Sequence, residues 1–207
     1  MWRIFSPNAE SSSHETIRLW CQKFDPDYAR KLKLNSSGSA FLRRQGRLGD
    51  IWHLDEVFIR INGKQQYLWR AVDQDGDVID ILVQPRRDQR AAERFFRRLL
   101  RGQRKEPFRI ITDQLRSYSA AMRTILCDVV HNTQRYANNR AEASHQPTRQ
   151  RERHMRRFKS AGQAQRFLSL HGVVQNLFRV GRHLLRSVNH RLLRSRSFGV
   201  WRTVTAA

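Results

Sequence analysis

Three mostly apolar, partly alternating runs lie close together in the first half of the chain. They cover Ile51 to Ile61, Gln66 to Val72 and Val78 to Gln84, and they are rich in the β-branched and aromatic residues that favour strands. The pair Asn62-Gly63 separates the first two runs, and the polar segment from Asp73 to Asp77 separates the second and third. The pattern predicts an antiparallel meander of three strands.

The next segment has helical spacing instead of alternation. Its apolar residues recur at i, i+3, i+4, i+7 and i+8, and arginines fill the other face. Asp88 is expected to cap this helix at its start, and Gly102 is expected to end it. The apolar face consists of Ala92, Phe95, Phe96, Leu99 and Leu100.

Short strands and helices alternate after that helix. Strands are predicted from Phe108 to Thr112 and from Cys127 to His131, with a helix from about Leu115 to Leu126 between them. The order of elements is then βββαβαβ. Adjacent hairpins followed by alternating helices and strands indicate an α/β fold, in which a mixed five-stranded sheet is flanked by helices.

The two ends of the chain differ from this middle part. Residues 12–24 predict one amphipathic helix, which is either half of a helix-turn-helix or a helix that packs on the main domain. Residues 35–50 are rich in Gly, Ser and charge and predict a linker. After a more apolar segment from Ala164 to Phe178, residues 181–207 carry arginines without a clear core pattern and predict a basic surface tail.

The charge balance points to a polyanionic partner. The chain has 40 Lys and Arg against 18 Asp and Glu, for a net charge of +22, which favours nucleic acid and binding that weakens with salt. The alternative of a merely basic structural protein does not require apolar strands that end in Asp. Cys21 and Cys127 are interpreted as reduced core thiols, and no run reaches the roughly 18 apolar residues of a membrane span. A reducing cytoplasm is therefore expected.

Three acidic residues lie where predicted elements end or begin. Asp55 and Asp113 fall near strand ends, and Glu142 falls near the start of a helix that begins close to Asn139. If the first and fourth strands are parallel neighbours, the two aspartates meet at one edge of the sheet. Clustered carboxylates need a cation, so the set predicts divalent metal, plausibly two Mg²⁺. The alternative is that each Asp only forms a turn or caps a helix.

Other acids are weaker candidates for the same role. Glu56 adjoins Asp55, but strand alternation predicts that its side chain points to the opposite face of the sheet. Asp73, Asp75 and Asp77 superficially resemble a Ca²⁺ loop, yet they lack its downstream Glu and flanking helices. We interpret that segment as a hairpin turn.

Histidines, arginines and aromatic residues could complete a phosphate site. His145 follows Glu142 by three residues and so shares its helical face, although a surface histidine is nearly as plausible. Arg149 could share that face too, and its fixed charge suits phosphate. Tyr118 and Tyr136 could stack on an unpaired base, whereas tryptophans on strands fit a core better. The remaining histidines that could reach the site are His53, His131 and His154.

Several segments together resemble one known family. They are Trp52-His53-Leu54-Asp55-Glu56-Val57, Tyr67-Leu68-Trp69-Arg70-Ala71-Val72-Asp73, Thr112-Asp113, Leu115-Arg116-Ser117-Tyr118, Asn138-Asn139-Arg140-Ala141-Glu142 and Arg157-Phe158-Lys159-Ser160. The chain resembles the transposases of the bacterial insertion-sequence 6 family over most of its length. Departures from the family pattern lie at the N-terminus, where a complete helix-turn-helix is expected, and in the tail.

The resemblance implies an RNase H-like catalytic core with a DDE triad. The triad is carried over as Asp55, Asp113 and Glu142, each a ligand for Mg²⁺ or Mn²⁺, and Arg149 matches a basic position after the glutamate. The implied reaction is DNA strand cleavage at terminal inverted repeats, followed by joining of the freed 3′-hydroxyls to target DNA. The implied partners are those DNAs and further copies of the chain, as a homodimer or higher oligomer on DNA.

The resemblance also implies an organisation and an alternative. Residues 1–34 would form a partial helix-turn-helix region, 35–50 a linker, 51–180 the RNase H-like DDE domain and 181–207 a basic helical tail. The shortened N-terminal region leaves open a catalytically inactive remnant that only binds DNA. Either protein would be expected in the bacterial cytoplasm, near the nucleoid.

Overall fold

The computed structural model describes residues 27–28, 31, 51–103, 106–134, 136–146, 149–150, 158–179 and 186–205. The predicted helix at 12–24, the linker at 35–50 and the residues Cys21, Pro147 and His154 lie outside these ranges. The described strands and helices, in chain order, are β1 Ile51–Ile61, β2 Lys64–Asp73, β3 Val78–Gln84, α1 Gln89–Gln103, β4 Arg109–Ile111, α2 Arg116–Ile125, β5 Val130–Asn132, α3 Asn139–Ser144, α4 Ala161–Phe178 and α5 Ser187–Thr205.

The strands form one five-stranded sheet in the order β3-β2-β1-β4-β5. Strands β1, β2 and β3 are antiparallel neighbours, whereas β4 runs parallel to β1 and β5 runs parallel to β4. This arrangement confirms the predicted RNase H-like mixed sheet. It also confirms that the first and fourth strands are parallel neighbours, which is the step that the sequence argument needed to bring Asp55 and Asp113 together.

The two hairpin turns follow from their sequences. Asn62 and Gly63 both have positive φ, 49° and 75°, as a tight two-residue hairpin requires. In the second turn the Asp73 Oδ1 atom accepts hydrogen bonds from the backbone N–H groups of Asp75 and Asp77, at 2.8 and 2.9 Å. Asp73 therefore stabilises a turn, which confirms the interpretation of this acidic segment as a hairpin.

Alternation along β1 sends apolar side chains to both faces of the sheet. Trp52 and Leu54 lie in one core cluster with α1 and α2 residues such as Phe95 and Tyr118. Val57, Ile59 and Ile61 lie in a second cluster on the other face, together with Phe158, Ala164 and Leu168. The central strand is thus covered on both sides, which makes its exposed end a rigid support for a site.

The chain divides into two units, 46–172 and a second one made of 1–45 and 173–207. In the second unit, the predicted basic surface tail contains the helix α5, which packs against the end of α4. The Ser197 hydroxyl donates to the Leu177 carbonyl at 2.7 Å, and the Phe178 ring lies 5.1 Å from that of Phe198 and 6.0 Å from that of Trp201. Val204 is buried. Aromatic contacts pack this helix despite its weak apolar periodicity.

Some smaller predictions need correction. Strand β5 begins at Val130 and not at Cys127, because Val129 N–H closes a turn on the Leu126 carbonyl. Helix α1 continues one residue past Gly102. Cys127 is exposed and is therefore not a core thiol. In the part of the chain that the structure describes, no helix is both long and apolar enough to span a membrane.

Candidate active site

The central strand β1 is longer than its neighbour β4, and this leaves an open edge. Strand β4 pairs with β1 only from Ile51 to His53, so β1 has no partner on that side beyond His53. Asp55 lies two residues into the open stretch, and Asp113 lies two residues after the end of β4. Parallel strands bring their carboxyl ends to one edge of a sheet, so both aspartates lie together there.

The carboxylates at this edge form a tight group. One carboxylate oxygen from each of Asp55, Glu56 and Asp113 lies within 4.8 Å of the others, and this is the one such acidic or metal-ligating group among the residues that the structure describes. The convergence of Asp55 and Asp113 confirms that part of the sequence prediction. Glu56 was expected to point away, and for its carboxylate that prediction is wrong.

Asp113 is held by the turn that leads into α2. Its Oδ1 atom accepts a hydrogen bond from the Leu115 backbone N–H at 3.1 Å, so the carboxylate also shapes the start of the helix. The preceding residue, Thr112, is fully buried, and its hydroxyl oxygen lies 2.9 Å from the His131 Nε2 atom. These contacts fix the backbone on both sides of Asp113.

Glu56 is buried and paired with Arg87. The Glu56 side chain is 1% exposed, its Oε1 atom accepts a hydrogen bond from Arg87 Nε at 2.6 Å, and Arg87 Nη2 lies 2.5 Å from the same oxygen in an ion pair. The same Nη2 atom lies 3.6 Å from Asp113 Oδ2. Arg87 follows β3 and precedes the capping residue Asp88, whose carboxylate accepts from Ala91 N–H at 2.8 Å. Sequence reasoning missed Arg87, since only the folded chain brings it 31 positions back to Glu56.

Burial and mutual repulsion both disfavour the charged forms of Glu56 and Asp113 at this edge. Burial raises the pKa of Glu56 to about 7, and the charges of Asp113 and Asp55 add to that rise, against the Tyr118 hydroxyl and Arg87, which lower it. Burial also raises the pKa of Asp113, and the Asp55 charge adds to it. A divalent cation would relieve this repulsion, and carboxylate oxygens are ligands that Mg²⁺ and Mn²⁺ accept. The donor set therefore fits such an ion.

Glu142 approaches the same edge from α3. A buried Asn138 donates its Nδ2–H to the Leu54 carbonyl at 2.7 Å, which ties the start of α3 to β1. Glu142 and Asp55 line one cavity of ≈ 520 Å³, with His145 and Arg149 on its wall. Glu142 is exposed and does not belong to the tight group of carboxylates. Its role as a metal ligand stays a prediction.

Among the described residues, His145 is the histidine that reaches the acids. Its Nε2 atom lies 3.3 Å from Asp55 Oδ2, and the residue is 1% exposed, so the alternative of a surface histidine is wrong. Burial lowers the His145 pKa, against the raising effect of Asp55, while the charges of Arg70 and Arg149 lower it further. Arg70 is buried on β2 in the position that pairs with Asp55. A neutral histidine beside Asp55 can orient that carboxylate.

The two tyrosines considered for base stacking differ in their exposure to solvent. Tyr118 is fully buried, with its ring 5.3 Å from Trp69, so it cannot stack on a base. Tyr136 is 70% exposed, so its ring remains accessible. Its backbone has a positive φ of 67°. Trp52 and Trp69 are core residues, as expected. His131 contacts Thr112, and burial lowers the pKa of His53.

Known proteins show which class this architecture belongs to. A family model described as a DDE domain matches residues 49–181, which include Asp55, Asp113 and Glu142. Relatives from Staphylococcus aureus include the transposases for the insertion sequence-like element IS431mec and for the insertion sequence element IS257 in transposon Tn4003. Each is 32% identical over 137 residues, which cover 64% of this chain and 57% of the relative. The chain thus spans little more than half the length of these relatives.

The fold, the acids at its sheet edge and these matches define a DDE domain. Within that class, the chain belongs to the bacterial insertion-sequence 6 family of DDE transposases, as its motifs indicated.

Similar solved structures include two catalytic domains. The catalytic domain of Mos1 mariner transposase is 15% identical, with 84% of this chain and 94% of that one covered and a TM-score of 0.42. The catalytic core domain of HTLV-2 integrase in complex with magnesium is 12% identical, with 69% and 93% covered and a TM-score of 0.45.

Proposed function

We propose that this chain is the catalytic part of a transposase that cuts DNA strands at terminal inverted repeats and joins the freed 3′-hydroxyls to target DNA. The observation that carries the proposal is the convergence of Asp55 and Asp113 at the open end of β1, beside the wall that holds Glu142. An acidic site of this kind is unexpected in a chain of net charge +22 unless it has a chemical task.

The proposed ligands for Mg²⁺ or Mn²⁺ are Asp55, Asp113 and Glu142, with two ions as the proposed number. When bound, such ions activate the attacking hydroxyl and stabilise the leaving oxygen of an in-line displacement at phosphorus. The chain's own part is geometric. Strand β1 and the turn at Leu115 hold the two aspartates, and Asn138 holds the helix that carries Glu142 against β1.

The side chains around the acids have matching tasks in this proposal. His145 lies against Asp55 Oδ2 and restricts the rotamer of that carboxylate. Arg149 lines the cavity from an exposed position, where its fixed charge can bind a phosphate of the cleaved strand. Tyr136 offers an exposed ring for stacking on an unpaired base near that strand.

The proposed partners are the inverted-repeat ends, the target DNA and further copies of this chain. The net charge of +22 supports a polyanionic partner, because each phosphate contact releases a counterion. Joining two ends requires that they be held together, which supports a dimer or higher oligomer on DNA. A place near the bacterial nucleoid follows from the same partner.

A strand-transfer assay tests the proposed function. The full chain is incubated with a labelled duplex that ends in the inverted repeat read from the DNA flanking the reading frame, with a target plasmid and Mn²⁺ or Mg²⁺. We expect joined products, and we expect Asp55→Asn, Asp113→Asn and Glu142→Gln each to lower the rate by at least about a hundredfold, since each removes a charge that acts on the reacting phosphate.

The matched control is Glu93→Gln, which removes an acidic charge from α1, away from the site, and should leave the rate unchanged. Thermal unfolding of each variant separates lost chemistry from lost folding. Binding of the duplex without any joined product in the unmutated chain would support the DNA-binding remnant instead. The acids at the sheet edge do not favour that alternative.

A further inference from the structure

The pair of Glu56 and Arg87 has no part in the function proposed so far. Glu56 follows Asp55 in the chain, and its carboxylate lies in the tight acidic group. It could serve as an additional ligand for the cation, or it could act through Arg87. The contact distances favour the second role.

Arg87 is shared unequally between two carboxylates. Its Nε atom donates a short, charge-assisted hydrogen bond to Glu56 Oε1 at 2.6 Å, and its Nη2 atom lies 2.5 Å from the same oxygen in an ion pair. Its Nη2 atom lies 3.6 Å from Asp113 Oδ2, which is beyond hydrogen-bond distance. A movement of less than about 1 Å would bring that nitrogen into contact with Asp113.

The Arg87 side chain is 32% exposed, so water and the nearby acids compete for its guanidinium. On one side it lies over the Phe58 ring, with 5.8 Å between the Arg87 Cζ atom and the ring centroid. Asp88, the next residue, is fixed as the cap of α1. Arginine does not lose its proton in proteins, so its charge is permanent. A guanidinium released from Glu56 would have Asp113 within reach, because only 3.6 Å separate Arg87 Nη2 from Asp113 Oδ2.

We infer that Glu56 is a positioning residue and not a ligand: it holds the Arg87 guanidinium off Asp113, so that Asp113 remains free to bind the cation. This inference rests on the cation site of the proposed function. Glu56 is suited to the task because its own carboxylate is sheltered from solvent: its side chain is 1% exposed, whereas that of Arg87 is 32% exposed. Removal of Glu56 would place a positive charge on a ligand of the metal.

Mn²⁺ binding to the full chain without DNA tests this role, by calorimetry or by electron paramagnetic resonance of free Mn²⁺. We expect Glu56→Gln to weaken Mn²⁺ binding about tenfold when Arg87 is present, because a cation in contact with a carboxylate opposes its further binding of charge. In the Arg87→Gln background the same Glu56→Gln change should weaken binding by less than about threefold, because no guanidinium remains to be released.

The effect of Glu56→Gln in the two backgrounds distinguishes a positioning role of Glu56 from a role as a ligand. If Glu56 is itself a ligand, or acts only by its charge, Glu56→Gln weakens Mn²⁺ binding equally with and without Arg87, and the inference is overturned. Glu56→Asp gives a second measurement, since it keeps the charge but shortens the reach to Arg87. We expect it to weaken binding as well, and an unchanged affinity would contradict the inference.

Two further variants serve as controls. Asp80→Asn breaks a similar ion pair, with Arg98 at 2.7 Å, that lies outside the acidic group, and it should leave Mn²⁺ affinity unchanged. Asp113→Asn tests the cation site itself. If Asp113→Asn leaves Mn²⁺ binding intact, the proposed function fails. If it abolishes binding while the effect of Glu56→Gln is the same in both backgrounds, only the role of Glu56 fails.

Discussion

Individual ionisable side chains respond to burial in opposite directions in this domain. Burial raises the pKa of Glu56 and Asp113, which favours their neutral forms, and lowers the pKa of His53, His131 and His145, which also favours the neutral forms. The acids therefore oppose folding as pH rises through their usual range, whereas the histidines oppose folding as pH falls. When no cation is bound, the acids and the histidines therefore change the stability of the domain in opposite directions over overlapping ranges of pH.

His131 allows the effect of acidification to be tested on a histidine whose pKa is lowered by burial alone. Its pKa in the folded chain lies below the ordinary 6.5, so on acidification the unfolded chain takes up the proton first, and the stability contributed by neutral His131 is lost below about pH 6.5. We expect His131→Gln to lower the free energy of unfolding at neutral pH, through the lost contact with Thr112, but to lose less further stability than the unmutated chain by about pH 5.5.

Urea unfolding of the two chains across that pH range measures the difference. The gap between their free energies of unfolding should narrow on acidification, because only the unmutated chain loses the contribution of neutral His131. Parallel curves would show that His131 keeps its ordinary pKa in the folded chain.

At the scale of elements, the site depends on a mismatch in strand length. Strand β1 has 11 residues and β4 has 3, so β1 extends past its parallel partner and presents Asp55 at an unpaired edge. The Leu54 carbonyl falls next to the last paired residue, and Asn138 supplies a donor for it. The Asn138 amide thus supplies a hydrogen bond that a neighbouring strand would otherwise supply, and it also anchors α3, the helix that carries Glu142.

Removal of that amide should loosen α3. We expect Asn138→Ala to lower the free energy of unfolding by about 1–3 kcal/mol, because it leaves a buried carbonyl without its donor. Asn138→Asp should do the same, since a carboxylate cannot donate to the Leu54 carbonyl. Urea unfolding measures the change, with the exposed Asn139→Ala as a stability control. Equal stability of Asn138→Ala and Asn139→Ala would show that the Leu54 contact does not hold the helix.

Sequence pattern predicted what is local in this fold and missed what is long-range. Strand β1 was predicted with its observed bounds, because apolar residues, a central position and the Asn62-Gly63 turn all agree. The parallel pairing of β1 and β4 was a condition that the rule on connections permits, and the structure confirms it and places Asp55 beside Asp113. These steps use only periodicity, turn chemistry and handedness.

The position of Glu56 could not be read in the same way. Alternation describes side chains within a sheet that has neighbours on both sides, whereas β1 is unpaired on one side at Glu56, where a long side chain can bend toward the edge. There the Glu56 carboxylate accepts a hydrogen bond from Arg87, which lies 31 positions away in the chain. The packing of the tail was not predicted either. Helix α5 packs through aromatic rings around Phe178 and not through a regular apolar stripe that a periodicity would reveal.

At the scale of the whole molecule, charge is the dominant property. The chain carries a net charge of +22, and both of its units expose arginines. In α1 the exposed arginines follow one helical face, and in α5 they are spread around the helix. These arginines are Arg90, Arg94, Arg97 and Arg101 in α1, and Arg191, Arg194, Arg196 and Arg202 in α5. Such surfaces bind the phosphate backbone without regard to base sequence.

Binding of the full chain to duplex DNA should therefore fall steeply with salt. We expect the affinity to decrease by about a thousandfold or more between about 50 and 200 mM salt. This charge allows about 6–10 phosphate contacts, and each contact releases roughly one counterion. Fluorescence anisotropy with a labelled duplex, in EDTA so that no strand is cut, measures the slope of log affinity against log salt. A duplex of scrambled sequence is the control, and it should show nearly the same slope, since phosphates are common to both. A decrease of less than about tenfold over that range would mean that the positive charge does not bind DNA through its backbone, and the partner proposed for this chain would have to be reconsidered.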